Sequence, residues 1–281
     1  MNCALIARHF RSIIGRPESA FVNVATKAYA DRIKASRQGR VHTTESSIGR
    51  TQSSCSAGGR FGRSFAGGQA VNSRADRAPE EVKPMEVEIK IRLPDRAAYD
   101  KVATALGEGR TASYAQANYF FDGPNRELNS RRVVLRLRTY NGDEKATITL
   151  KGKQILENGI GRASEVEEDI DPAVAARYLV EPNSMLREVP LIRTTAEKFG
   201  LASLVSLGGF QNQRVCYTWE GHVLELDETA FDHGTLYEIE CETDHPEMLR
   251  DSLESFLASL GVSYSYSQTS KFANFINKTL L

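Results

Sequence analysis

The 281-residue sequence has little cysteine: four residues, Cys3, Cys55, Cys216 and Cys241, lie far apart with no Cys-x-x-Cys pair. That spacing excludes a zinc ribbon and argues against a disulfide scaffold, so the thiols read as reduced and incidental. No apolar run approaches the roughly 18–20 residues that a membrane-spanning helix needs, which excludes such a span. Histidine is scarce as well, and His9, His42, His222, His233 and His245 form no ligand spacing. There is no G-x-x-x-x-G-K-[ST] loop, which argues against a fused P-loop kinase, and no G-x-S-x-G elbow or Cys/His pair to support acyl chemistry. Trp219 and Tyr217, two apart, read as one face of a packed strand rather than a stacking platform for bases.

Acids are almost missing from the first 78 residues, where Glu18, Asp31, Glu45 and Asp76 stand against eleven Arg and two Lys. The whole chain has 36 residues of each sign, so residues 79–281 carry the opposite excess, 32 acids to 23 bases. Residues 1–84 are rich in Ser, Arg and Gly and lack hydrophobic periodicity, so they cannot bury enough apolar surface to offset the entropy of ordering. Only the start is patterned, with Leu5, Ile6, Phe10, Ile13 and Ile14 on one side of a helix and Arg8, Arg11 and Arg16 elsewhere. The expectation for 1–84 is a disordered basic extension acting as an organelle transit peptide, to the mitochondrion before the chloroplast because Arg dominates its bases. The alternatives are a disordered tail with no address, or sequence upstream of a true start at Met85 where the patterned sequence begins, either of which leaves a cytoplasmic protein.

From residue 86 the character changes. Residues 86–93 alternate charged and apolar side chains, which is the period of a strand with all its charges on one face. Strands are also predicted over 118–122, 133–138, 147–153, 165–170, 210–219, 223–228 and 237–242, with a tight turn at Asn141-Gly142-Asp143. Helices are predicted over 95–106, over 172–200 with breaks at Pro182 and Pro190, over 246–260, and in a short segment near Thr269. The pattern indicates an α+β fold in which about eight antiparallel strands form a curled or closed sheet, occupying 85–281 as one domain.

Two arrangements are open for strands with one charged face. In an ordinary sheet the charges face water. In the inverted arrangement the apolar faces pack outward under helices and the charges line a tunnel, which eight strands leave wide enough for a small ligand. Glu86 and Glu88, Glu165 and Glu167, Glu225 and Asp227, and Glu238, Glu240 and Glu242 place acids at every second position of four strands. Two bare carboxylates ~4 Å apart repel by roughly 4 kcal/mol at an effective dielectric of 20, so cations must relieve them. Suitable cations are at hand in Lys90, Arg92, Arg136, Arg138, Lys151, Lys153, Arg214 and Lys271. Paired acids supply hard oxygen ligands for Mg²⁺ or Mn²⁺, and Lys and Arg grip phosphate oxygens. Opposed sets of both kinds suit a polyphosphate with its divalent metal, whereas the acidic domain is a poor nucleic-acid binder.

Glu86-Val87-Glu88-Ile89-Lys90 resembles the E-x-E-x-K opening strand of the CYTH superfamily, the triphosphate tunnel metalloenzymes. Asn118-Tyr119-Phe120-Phe121-Asp122, Ser130-Arg131-Arg132 with the strand that follows, Thr149-Leu150-Lys151-Gly152-Lys153 and Tyr237-Glu238-Ile239-Glu240-Cys241-Glu242 follow in the family's order. Leu207-Gly208-Gly209-Phe210 and Ser270-Lys271-Phe272 resemble the stand-alone plant inorganic triphosphatases. The resemblance covers 85–281 and implies an eight-stranded antiparallel β-barrel, a tunnel with flanking helices, that hydrolyses a small-molecule triphosphate with Mg²⁺ or Mn²⁺. It implies metal ligation by Glu86, Glu88, Glu238 and Glu240. A cradle of Lys90, Arg92, Arg136, Arg138, Lys151, Lys153, Arg214 and Lys271 would hold the substrate, and Glu165 and Glu167 would orient water, with Lys90 also at the reacting groups. Tripolyphosphate is the leading substrate. Thiamine triphosphate, nucleoside triphosphates, cyclisation of ATP, and non-catalytic polyphosphate binding are the alternatives.

Overall fold

The computed structural model describes residues 85–281. The extension, and with it the transit-peptide expectation, lies outside the described residues. Strands β1 (Met85–Leu93), β2 (Arg110–Asp122), β3 (Val134–Tyr140), β4 (Lys145–Lys151), β5 (Ile155–Glu157) and β6 (Ile160–Ile170) come first, with α1 (Arg96–Leu106) after β1. A helical insertion follows, α2 (Pro172–Val180), α3 (Met185–Glu188) and α4 (Pro190–Phe199). The chain ends with β7 (Val205–Trp219), β8 (His222–Phe231), β9 (Gly234–Glu242), α5 (Pro246–Ser259), β10 (Ser265–Tyr266) and α6 (Lys271–Asn277).

Eight of these strands close a ring in the order β1-β9-β8-β7-β2-β3-β4-β6, and β6 pairs back onto β1 from Ile89↔Ile160 to Met85↔Ser164. Every pairing is antiparallel. The eight strands expected from alternation are the eight of the ring, while β5 and β10 are short additions to β6 and β1. Three of the eight run well beyond the expected residues: β2 begins at Arg110, β6 at Ile160 and β7 at Val205. Ala112, Ser113, Ala115 and Ala117 carry little strand propensity, so tertiary pairing rather than local preference extends β2. The strands also approach unusually closely, since a Cβ on Gly209 would lie 1.8 Å from the carbonyl oxygen of Asn118. Only glycine fits there.

Where the apolar residues go decides between the two arrangements. Ile89, Ile91 and Leu93 of β1 and Leu224, Leu226 and Ile239 of β8 and β9 are buried outside the ring under α1 and α5. Asp95 caps α1 by accepting from Ala98 N at 2.9 Å, and Tyr99, Val102 and Leu106 form its buried face. On another side Leu135, Leu137, Ile148 and Leu150 of β3 and β4 pack with Ala175, Tyr178, Met185 and Ile192 of the insertion. Gly200 (φ +72°) ends α4 in the left-handed region, as expected for a glycine after a helix. With both apolar faces turned outward, the alternate residues must face the interior. The barrel is inverted.

At the end nearest the β8–β9 turn, α6 packs Phe272 and Phe275 on Phe120 of β2, with ring centroids 4.8 and 5.7 Å apart, and Phe210 and Phe231 complete this third cluster. Among the described residues no helix is long and apolar enough to cross a membrane.

Leu253 of α5 is fully buried in the first outer core and does not reach the tunnel. Leu253→Ala should therefore cost about 2–5 kcal/mol in denaturant unfolding. The residues facing the interior should be undisturbed; a change below ~0.5 kcal/mol would mean that α5 does not cover the barrel as described.

Candidate active site

The inner faces of the strands line a cavity of about 990 Å³ that includes Glu86, Glu88, Lys90, Arg136, Arg138, Lys151, Glu165, Glu167, Arg214, Glu225, Glu240, Glu242 and Lys271. Alternation along each strand puts the strand residues there, α6 supplies Lys271, and register sets which opposite charges meet. Lys90 lies across from Glu240, Lys151 from Glu165, and Arg214 from Asp227.

Two ionic clusters result. In the first, Glu240 accepts from Lys90 Nζ and Lys271 Nζ, both at 2.5 Å, and from Arg214 Nη2 at 2.7 Å. Asp227 receives Arg214 Nη2 at 2.6 Å and Lys271 Nζ at 2.7 Å, and Glu225 also pairs with Arg214. Burial alone would disfavour these charges, but they outweigh it by pairing. Glu240 lies well below the usual carboxylate range, Asp227 at about 2, and Lys90 well above the ordinary lysine value.

In the second cluster one ammonium contacts three carboxylates, of which Glu88 also pairs with Lys90 Nζ at 3.0 Å. Lys151 Nζ is 2.5 Å from Glu86 Oε2, 2.9 Å from Glu165 Oε2 and 3.6 Å from Glu88 Oε1. Arg136 Nη2 reaches Glu165 Oε1 at 3.2 Å and Glu167 Oε2 at 3.5 Å, and it donates to Thr149 Oγ1, whose own hydroxyl donates to Glu167. Against the cost of burial, Lys151 and Arg136 hold Glu165 ionised, at about 2. Glu86 is different: burial first, then the neighbouring Glu88 and Glu165, push it up to about 8. Arg136 is brought down to about 10 by burial and by the adjacent Arg138.

Among the described residues no three acids already form a ligand shell for a metal ion. The donor set nevertheless fits a divalent cation. Glu86 and Glu88 of β1 and Glu240 of the neighbouring β9 are hard oxygen donors lining one cavity, and the raised pKa of Glu86 records negative charge that Lys151 alone does not offset.

Not every expected residue faces the cavity. Lys153 is exposed beyond the end of β4, because pairing stops at Lys151↔Glu165 and the alternation that would turn it inward is not continued. Arg92 and Glu238 are buried but lie behind the cavity wall. Arg92 Nη2 donates to Glu238 Oε1 at 3.0 Å and to the main-chain oxygen of Leu281 at 2.6 Å, so the C-terminal residues stand in front of it. Glu238 is further held by Ser267 Oγ at 2.6 Å and Lys271 Nζ at 3.2 Å. Asp227 is likewise fully buried beneath its cations, whereas Glu225 and Glu242 reach the cavity. On β6 it is Glu165 and Glu167 that turn inward, opposite Lys151 and Thr149. Of the neutral lining residues, Asn118 and Thr149 stand in motifs quoted above without a site role, and Tyr114, Gln116, Gln154 and Asn212 are not marked by the sequence reading. The alternation of Tyr114, Gln116 and Asn118 with Ala115 and Ala117 was a signal available for three of them.

The surplus charge at Glu86 has a consequence for stability. Between its ordinary pKa of 4.5 and its folded value of about 8, Glu86 keeps a proton that the unfolded chain has lost. The folded state then binds more protons, so this contribution falls as pH rises through that window. Glu86→Gln, which still offers a hydrogen bond to Glu165, should raise the metal-free melting temperature at pH 8 relative to wild type and leave it unchanged near pH 4. An equal shift at both pH values in thermal melts would contradict the assignment.

A profile of the CYTH domain matches residues 84–275. A Hippeastrum protein, described as a presumed adenylyl cyclase that reveals a dominant triphosphatase activity, is 40% identical in a superposition covering 70% of this chain and 97% of that one, with a TM-score of 0.68. A Bacillus halodurans protein described as a presumed adenylate cyclase shares the fold at 20% identity and a TM-score of 0.53, covering 68% of this chain and 98% of the other. No curated protein matches. Its inverted, charge-lined barrel and these likenesses together make this chain a member of the CYTH domain family.

Proposed function

We propose that the chain is a metal-dependent inorganic triphosphatase, hydrolysing tripolyphosphate to pyrophosphate and phosphate inside the barrel. The observation that carries this function is the inward pairing of carboxylates with lysines and arginines around one cavity. The triphosphatase activity described for the Hippeastrum relative supports it.

The charges behave as a closed account. In the free chain most inward cations already have a carboxylate partner, so a triphosphate must take cations from the protein's own acids. Leaving those acids buried and unpaired would cost several kcal/mol each. Glu86, Glu88 and Glu240, with Glu238 supporting from behind, are the acids that would hold a divalent cation, whose charge would restore the balance. When bound, the metal supplies charge neutralisation at phosphoryl oxygens.

The remaining steps fall to the chain. Lys90, Arg214 and Lys271 in the first cluster, and Arg136, Arg138 and Lys151 around the second, hold the phosphate chain in line. Glu165 and Glu167 orient the attacking water; Glu165, ionised even at low pH, acts as an acceptor that fixes the water's direction rather than as a strong base. Water adds to a terminal phosphorus as its bridging P–O bond breaks, the proton it loses passes to the phosphate products, and the leaving pyrophosphate oxygen is stabilised by the same cations. No covalent enzyme intermediate is required. Hydrolysis is favoured over passive anion binding because clustered acids such as Glu86 and Glu88 would only weaken an anion-binding module.

Glu88→Gln should lower metal-dependent phosphate release by at least about 100-fold while the protein still folds, a magnitude typical of losing one electrostatic stabiliser. Full activity in that variant would refute the metal assignment. Lys90→Ala should raise KM for tripolyphosphate in steady-state assays; unchanged kinetics would place Lys90 outside the substrate's path.

A further inference from the structure

Thr149 of β4 stands in register between two charged residues, Arg136 of β3 on one side and Glu167 of β6 on the other. Directly opposed residues of antiparallel strands have Cβ atoms about 4.5–5.5 Å apart, so one short hydroxyl can touch both neighbours. Arg136 Nη2 donates to Thr149 Oγ1 at 3.0 Å, and Thr149 Oγ1 donates to Glu167 Oε2 at 2.7 Å. The direction of this chain is forced. A guanidinium has no acceptor, so Arg136 can only donate, and the single hydroxyl proton is left for the carboxylate. Thr149 is 1% exposed, and among the described residues its hydroxyl makes no other hydrogen bond.

The two inward acids of β6 are held differently. Both oxygens of Glu165 face cations, Oε1 toward Arg136 Nη2 at 3.2 Å and Oε2 toward Lys151 Nζ at 2.9 Å. Glu167 has no such clamp. Among the described residues its one ion-pair contact is the same Arg136 Nη2 at 3.5 Å, again through Oε2. The Thr149 hydroxyl is therefore the short bond that orients it. Glu167 Oε1 has no hydrogen-bond partner among the described residues, and the side chain is 35% exposed against 18% for Glu165. Glu167 thus presents one anchored and one open oxygen to the cavity that it lines.

We infer that Thr149 is a positioning residue for the hydrolytic water: its hydroxyl locks the Glu167 carboxylate through Oε2, so that Oε1 accepts a hydrogen bond from the attacking water. The inference rests on the tripolyphosphate hydrolysis proposed above and adds to it a neutral residue, all but sealed from the cavity, that acts through Glu167. A neutral donor suits this place for a physical reason. Phosphate oxygens compete with the protein's acids for Arg136, and each contact they win loosens its hold on Glu165 and Glu167. The hydroxyl proton of Thr149 lies beneath the carboxylate and is not open to that competition. Branching at Cβ restricts the threonine rotamer, so the hydroxyl keeps its direction while the charges around it change partners.

The test is steady-state phosphate release by the full chain from tripolyphosphate with Mg²⁺ or Mn²⁺, alongside thermal melts. Thr149→Val keeps the shape of the side chain and removes the hydroxyl. It should lower kcat about tenfold or more while KM changes less than about twofold, because the water rather than the substrate is misdirected. Thr149→Ser, with the same hydroxyl on a freer side chain, should recover kcat to within about threefold of wild type. In a Glu167→Ala background the valine change should add no further loss, since the hydroxyl acts only through that carboxylate. A merely structural threonine would cost the same factor in both backgrounds, and that result would overturn the inference. So would a folded Thr149→Val with unchanged kcat, or one whose whole defect lies in KM, which would make Thr149 a support for Arg136 in substrate grip. If the valine variant does not fold, Thr149→Ala carries the same comparisons. Wild type inert with both metals would overturn the proposed hydrolysis and this inference with it, whereas an active wild type with an indifferent variant overturns the inference alone.

Discussion

Charge confined to the inside of a closed barrel must find a partner there. Water outside cannot reach Glu240, Asp227 or Glu238 to solvate them, and their pairing with Lys90, Arg92, Arg214 and Lys271 is what makes the inverted barrel tenable. A buried ion pair adds little net stability, so the outer apolar layers under α1, α5 and the α2–α4 insertion must carry the folding free energy. The architecture separates two tasks. Apolar residues hold the barrel from outside, and ionic residues, freed from that duty, are arranged for a ligand.

The same constraint bears on how the site would work. A cavity near internal neutrality does not accept a multiply charged anion without either a counter-cation or an unengaged base. The Glu86–Glu88–Glu165 side carries surplus negative charge, suited to the first. Arg138, on the opposite kind of wall, has donors without carboxylates and is suited to the second. In the Lys90–Glu240–Lys271 cluster, substrate and protein acids would compete for the same ammonium groups. The C-terminal helix contributes on both counts: it closes one end with Phe272 and Phe275 and delivers Lys271 to the acids.

Much of this was legible in the sequence because charge alternates with apolar residues so regularly on β1, β3 and β9. Period, aromatic runs and turn residues together marked the eight ring strands, whereas on β6 the family resemblance, not the period, pointed to Glu165 and Glu167. What alternation leaves open is which side is inside, and that follows only from where the helices pack. It also does not say how deep along the tunnel a residue lies. Arg92 and Glu238 share a face with Lys90 and Glu240, yet the C-terminal residues stand between Arg92 and the cavity. Lys153 shares the spacing of Lys151 but falls past the end of pairing. The neutral wall was least visible of all. Asn118, Gln116 and Thr149 bear no charge to mark them, and their significance comes from partners they have across strands distant in sequence.

The central claim is that the ionic lining serves a triphosphate together with a divalent cation. Phosphate release by the purified chain from tripolyphosphate, thiamine triphosphate, ATP and pyrophosphate, each with Mg²⁺, with Mn²⁺ or with EDTA, tests it most directly. The account predicts release that needs the metal and is fastest with tripolyphosphate. Equal release in EDTA, or none from any triphosphate, would contradict it.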